Sequence, residues 1–386
     1  MFGQHLIIDD EINSGYNPVS LQAAGWGITR ITSGYENTVG SFGITPRGVK
    51  YDEFIYISKV PVNFYASSFS SCLLKTDGTL WLGGSMVFST SDDLGNFRGS
   101  ENQFYKQLGV DTDWDSVCLG DNHVLLTKTD GTLWSSGENS EGALGVGDEL
   151  GRLGEVQIGT DTDWVEISAS GLQGFNGDSS FAIKSGGTLW SCGANASGQL
   201  GLGDNTNRNT FTQVGVGVIW DKISSAHETA FALKTDGTLW SCGDNTYGNL
   251  GLLDNSDRNS FTQVGIDTDW ADVKCSPQHT LALKTDGTLW SCGRNNAGQL
   301  GLGDNVDTND FNKIGVDTTW TKIGVGGGSS AAVKGGELYT TGDNTSGQLG
   351  LGDNTNRNVF VQVGASVAWV DVVVGGNFMI AQLGLP

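Results

Sequence analysis

The chain has 386 residues, 59 of them glycine and 5 proline, and no glycine recurs at every third position, so collagen-like and proline-rich disordered architectures are excluded and turns must be frequent. Its 21 Lys and Arg against 43 Asp and Glu give a net charge of −22, a surface that repels phosphate backbones and anionic lipid alike. Twelve Trp, 16 Phe and 8 Tyr within a 37% hydrophobic composition supply apolar material for a large core or several stacked ones.

From the N-terminus, Met1 to Asp10 shows no basic region followed by an apolar one, and no later run approaches the roughly 18 apolar residues of a membrane helix; neither a leader nor a membrane span is expected. Residues 1–45 read as an N-terminal arm or a degenerate repeat. Ser41 to Tyr51 aligns without gaps on Ser180 to Trp190, which places a worn hairpin near the head of the chain. Residues 46–386 are governed by a repeat of about fifty residues. One marker, Thr-Leu-Trp, sets Trp81, Trp134, Trp190, Trp240 and Trp290, with Tyr339 at the sixth place; a second sets Trp114, Trp164, Trp220, Trp270, Trp320 and Trp369. Repeats therefore start near 61, 114, 164, 220, 270 and 320, followed by a closing half-repeat, 369–386.

Each unit predicts four short strands. In the unit of Trp220 these are Trp220 to Ile223, Phe231 to Lys234, Thr238 to Trp240 and Phe261 to Val264, with a Gly-rich loop, Ser241 to Leu252, before the last. Asp236-Gly237 between the second and third is a tight hairpin signal, because glycine takes positive φ freely and Asp hydrogen-bonds the following backbone. Asp77-Gly78, Asp130-Gly131 and Asp286-Gly287 repeat it. No segment has helical periodicity. The expected fold is all-β: a β-propeller of four-stranded blades, which solves the exposed-edge problem by arranging them in a ring closed by N- and C-terminal strands. Residues near 48–60 completing the last half-unit would make seven blades; residues 26–60 as their own blade, with 1–25 closing the ring, would make eight. An open β-solenoid is the competing architecture, though its coils are usually shorter and lack repeated two-residue hairpins.

The run Gly-x-Asn-x-x-Gly-Gln-Leu-Gly-Leu-Gly-Asp, at Gly193 to Asp204 and Gly293 to Asp304, resembles the signature of the regulator-of-chromosome-condensation repeat family, and His279-Thr280-Leu281-Ala282-Leu283 is similar to that family's His-Thr-x-Ala-Leu strand. The loop signature is clear at Gly137, Gly193, Gly243, Gly293 and Gly342 and degenerate from Gly84 to Asn96; the resemblance covers roughly residues 61–386. It implies seven blades, the last closed by strands from both termini, with residues 1–45 as an added arm. Where the family commonly carries Pro before the last strand, this chain has Phe211, Phe261, Phe311 and Phe360, and His stands at the strand position only as His123 and His279. The close likeness among units resembles bacterial and viral members rather than the eukaryotic exchange factors.

Candidate sites fall into repeated and unrepeated sets. His123, His227 and His279 lie in different units, so symmetry separates them, and each imidazole tip is expected to hydrogen-bond a neighbouring backbone rather than a metal. Cys192, Cys242 and Cys292 recur at one place and, with Cys72, Cys118 and Cys275, read as free packing thiols. The oxygen-rich loops beginning at Asp204, Asp254, Asp304 and Asp353 raise calcium, but they lack the EF-hand spacing, and Asp and Asn cap turns on their own account. The runs Asp-Thr-Asp-Trp at Asp111, Asp161 and Asp267 repeat, which points to an inter-blade turn rather than a catalytic dyad. The Trp spacing is expected to anchor cores. What breaks the repeat is Met86, Val87 and Phe88 in the first unit and Leu172 and Phe175 in the third, the expected partner-binding residues.

The sequence thus predicts no catalytic residue, no cofactor and no metal. The leading expectation is a non-catalytic structural or binding protein of a bacteriophage virion, such as a tail, fibre or capsid-decoration protein. It would contact virion proteins through its arm or a host receptor through its loops. The competing expectation is a regulatory propeller acting on a partner protein, as a GTPase exchange factor or an enzyme inhibitor; away from a virion, its setting would be the cytoplasm.

Overall fold

The computed structural model describes residues 5–8, 54–57, 62–66, 70–84, 106–172, 175–365, 368–376 and 378–383. Among them there is no helix, and the strands form seven four-stranded sheets. Six follow chain order. The sheet opened by Trp220–Ala226 continues through Thr229–Lys234 and Leu239–Gly243 to Arg258–Gln263, with every pairing antiparallel. The others open at Val62–Ala66, Trp114–Leu119, Trp164–Leu172, Trp270–Cys275 and Trp320–Val325. The seventh draws on both ends of the chain: Trp369–Val374 pairs with Met379–Leu383, which pairs with Phe54–Ile57, which pairs with His5–Ile8. Phe54–Ile57 runs parallel to both its neighbours, a direction open to it because no hairpin ties it to either. Of residues 1–45, only His5–Ile8 is described; the hairpin expected at 41–51 and the residues Met86, Val87 and Phe88 lie outside the described residues.

The Asp-Gly hairpins show how sequence sets register. Asp236 Oδ1 accepts hydrogen bonds from Thr238 N at 3.0 Å and Thr238 Oγ1 at 2.6 Å, and Thr238 Oγ1 accepts from Trp240 Nε1 at 2.9 Å. Gly237 has φ of 80°, and a Cβ there would sit 2.1 Å from Thr268 O in the turn entering the next sheet. One glycine therefore serves a turn and a contact between sheets.

The cores lie between sheets. Trp220 packs against Phe181, Ile183 and Leu189 of the preceding sheet and Ile223, Ala232 and Cys242 of its own, and it meets Trp240 edge-on at 6.2 Å. The Trp spacing thus places one large aromatic per sheet at the seam with its predecessor. The Phe residues that depart from the family pattern complete this seam. Phe261 lies 5.2 Å from Trp220 and covers Gly201 of the preceding sheet, where a Cβ would meet the ring at 2.5 Å. Cys192, Cys242 and Cys292 are buried free thiols whose Sγ donates to carbonyls one sheet back, Ala143, Gln199 and Asn249, at 3.3–3.4 Å.

The oxygen-rich loops consume their own oxygens. Asn195 donates to Asp204 O and Thr206 O and accepts from Leu200 N, while Asp204 Oδ2 binds Arg208 at 2.6 Å. Asn245 makes the same bridges, Asn344 donates to Asp353 O and accepts from Leu349 N, and Arg258 and Arg357 hold Asp254 and Asp353. The Asp-rich turns are also engaged, each clamped by a lysine: Lys284 lies 2.6 Å from Asp267 and 2.9 Å from Asp269, with its ammonium 4.9 Å from the centroids of both Trp270 and Trp290.

Candidate functional site

The opening strands of all seven sheets surround one cavity of about 470 Å³. Along each Trp-initiated strand a bulge directly after the Trp resets the alternation, so that the third and fifth residues join the Trp on the core side and the second and fourth turn away from it. The fourth places are Cys118, Ser168, Ser224, Lys274, Gly324 and Val373, all on the cavity wall. The second places are Ser116, Glu166, Lys222, Asp272, Lys322 and Asp371, so that five neighbouring strands carry charges of alternating sign.

These charges act on one another. Lys222 Nζ donates to Ala271 O at 2.7 Å and stands 4.0 Å from Asp272. Solvent reaches Lys274, yet protein surrounds it; that enclosure disfavours its charge, and Asp272 and Glu166 outweigh it, holding the ammonium above its ordinary value. Burial raises Glu166 despite Lys274 and Lys222, and raises Asp371 despite Lys322. On the same wall, burial lifts the Tyr65 hydroxyl to about 12 against the hydrogen bond from Ser116, and lifts Cys118; Cys275, opposed by its Ser224 bond, stands at about 11. A thiol held protonated is a poor nucleophile, so the wall offers Glu166, Lys274 and hydroxyls for binding rather than an activated attacking group.

At one mouth the sheets' first-to-second-strand connections gather unrepeated polar groups. Asp178 is only 9% exposed; burial lifts its carboxyl to about 7 even though Asn122 Nδ2 donates to it at 3.2 Å, and Asp121, Glu141 and Glu138 push the same way as burial. The hairpin of Trp164–Leu172 and Phe175–Lys184 stands here, with Leu172 opposite Phe175 in its register and Gly177 against the His227 ring. His227 itself has a left-handed φ of 48°, and its carbonyl accepts from Ser170 Oγ at 3.2 Å.

The histidine expectation needs correction. His123 and His279 reach side-chain hydroxyls of the next sheet, Ser180 and Ser330, at 2.8 Å rather than backbone. The reason is that Ser180 and Ser330 spend their own protons on Ala143 O and Gln299 O, leaving an acceptor for each Nε2–H. Burial lowers these imidazoles to about 4 and about 3, so both are neutral struts between sheets. Among the described residues no cluster of His, Cys, Asp and Glu is arranged to hold a metal. The alternating charges were missed in the sequence because each unit was compared with the repeat pattern; aligning the units on the second Trp exposes the column Ser, Glu, Lys, Asp, Lys, Asp.

Residues 236–283, 286–333 and 335–382 match the family model of the regulator of chromosome condensation (RCC1) repeat, and 221–249 and 270–299 match a second model of the same description. The chain carries RCC1-type repeats over these residues. A 93-residue stretch is 31% identical to the X-linked retinitis pigmentosa GTPase regulator of Mus musculus, and a 94-residue stretch is 31% identical to the probable E3 ubiquitin-protein ligase HERC3 of Homo sapiens; each covers 24% of this chain and only 9% of the relative. Among solved structures, human WBSCR16 superposes with a TM-score of 0.72 at 21% identity, covering 84% of this chain and 87% of that one. Prp20p of Saccharomyces cerevisiae, described with its binding properties to Gsp1p and histones, superposes at 0.70 with 17% identity, covering 83% and 82%. These likenesses show a propeller fold.

Proposed function

We propose that this chain is a non-catalytic regulatory propeller that acts by binding another protein, with a small GTPase as the first partner class and an enzyme to be inhibited as the second. The observation that carries the reading is the RCC1-repeat match over residues 221–382, together with local identity to a relative named as a GTPase regulator. The site chemistry is consistent with it: the thiols are protonated, two buried histidines are neutral and the charges on neighbouring opening strands alternate in sign, while unrepeated groups collect at one mouth. In this reading seven blades close into a ring through the sheet shared by both ends, and the mouth with Asp178, His227 and the long hairpin faces the partner. None of the proteins named above is a virion protein, and the virion expectation has no support among them.

The test is nucleotide release. Small GTPases loaded with a fluorescent GDP analogue are mixed with the full chain; a partner GTPase should release nucleotide at least about tenfold faster, or bind without release if the chain is an inhibitor of a different kind. No acceleration and no binding across the panel removes the GTPase reading.

A further inference from the structure

We propose that the face of the propeller carrying the Asp-Gly hairpins docks a cationic protein segment studded with aliphatic side chains, read by an apolar residue and a carboxylate repeated from sheet to sheet. This rests on the protein-binding reading above and names a surface opposite the mouth at Asp178.

The turn entering each Trp-initiated strand exposes one residue directly after a left-handed glycine. Val110, Ile266 and Val316 follow Gly109, Gly265 and Gly315, with φ of 58°, 56° and 60°, and are 88–89% exposed; Val216 follows Gly215 and is 91% exposed. The turn does not need an apolar residue, since Thr160 and Ala365 hold the same place after Gly159 and Gly364. Turn chemistry itself favours Gly, Asn, Asp and Ser. A β-branched side chain almost wholly in water, at one rigid position of four sheets, is spent on something outside the chain.

The neighbouring charge says what that is. After Val110, Ile266 and Val316 come Asp111, Asp267 and Asp317, each clamped by a lysine lying beneath it against aromatic rings. The Lys284 side chain is 9% exposed, whereas its partners Asp267 and Asp269 are 49% and 46% exposed. Lys128 is likewise covered and holds two carboxylates, Asp111 and Asp113. An approaching surface therefore meets methyl groups beside half-exposed carboxylates, and the ammonium groups stay hidden. A second copy of this chain, also at −22, brings like charge to this face, so the complementary occupant carries Lys or Arg beside aliphatic groups.

The experiment measures binding of two synthetic peptides of about 15 residues with equal charge, one of Lys and Leu and one of Lys and Ser, to the full chain and to the variant V110S/V216S/I266S/V316S, at about 50 and 300 mM salt. The variant changes only solvated side chains, and its thermal midpoint checks that it folds. The Lys/Leu peptide should bind the variant at least about tenfold more weakly than the parent and lose affinity with salt, while the Lys/Ser peptide should bind the two proteins alike. Equal Lys/Leu affinity for parent and variant, or hydrogen-exchange protection confined to the opposite face, overturns the proposal; so does a parent dimer, seen by sedimentation, that the variant dissolves. A GTPase that binds parent and variant equally while the Lys/Leu peptide does not discriminate removes this surface and leaves the regulatory reading. Peptide discrimination with no GTPase bound supports the surface and removes the GTPase reading.

Discussion

Asp178 stores a pH dependence in a single side chain. Its carboxyl is lifted to about 7 by burial and by its acidic neighbours, so the folded protein keeps a proton that the unfolded chain sheds near 4. The resulting contribution is present at low pH and is lost as pH rises towards and beyond 7. Asp178→Asn keeps an acceptor for Asn122 without the charge and should raise stability at pH 8 by about 1–3 kcal/mol, a gain that shrinks towards pH 4, measured by urea unfolding at the two pH values. His123 and His279 work with the opposite sign. Their folded values of about 4 and about 3 lie below the unfolded value near 6.5, so their contribution is present above about pH 6.5 and falls as acid is added. In the Asp178→Asn background, the urea midpoint should therefore drop between pH 7 and pH 5; a flat profile would mean that the imidazoles take protons in the fold. The histidines' separation into different sheets was legible in their spacing, whereas the hydroxyl that each one reaches was not. Ser180 and Ser330 lie 57 and 51 residues away, and only the stacking of sheets brings them within 2.8 Å.

The element scale is where the sequence was most legible. Each Asp-Gly hairpin and each Trp marker predicted a local structure that needs only a few residues, and the four-stranded units follow from them. Less legible was what joins one unit to the next, since a seam residue is explained by a partner about fifty residues distant. Phe261 reads alone as a departure from a family pattern, yet it closes over Gly201. Gly201→Ala forces a side chain into a φ of 68° and a 2.5 Å approach to that ring, and should cost about 2–4 kcal/mol by chemical denaturation. The equivalent change at Gly203, with φ of 89° but nothing nearer than Ser260 Oγ at 3.6 Å, should cost about 1 kcal/mol, so the difference isolates the seam. The lysine clamps are the second join. Lys284→Met keeps the packing on Trp270 and Trp290 but leaves two half-exposed carboxylates unneutralised, and should lower stability by about 1–2 kcal/mol at low salt and less at high salt.

At the scale of the whole molecule, the two ends of the chain meet in one sheet. Deleting residues 1–60 would remove Phe54–Ile57 and His5–Ile8 and bare the edge of Met379–Leu383, an invitation to pair with another chain. The truncated protein should melt earlier than the full chain and associate in a concentration-dependent way by light scattering; unchanged melting would show that the shared sheet adds little. This sheet was the hardest part to read from the sequence, because its halves are separated by more than three hundred residues and its N-terminal strands carry neither the Trp marker nor the hairpin signal. The parallel course of Phe54–Ile57 beside Met379–Leu383 also gives the molecule a mechanical character. Tension drawn between the head and the tail of the chain enters at His5–Ile8, which also runs parallel to Phe54–Ile57, and leaves along Met379–Leu383, so both pairings are loaded in shear and their hydrogen bonds bear the load together instead of parting one after another. The join then behaves as a clasp in shear, and a propeller tethered at one end and pulled at the other should resist until that clasp slides.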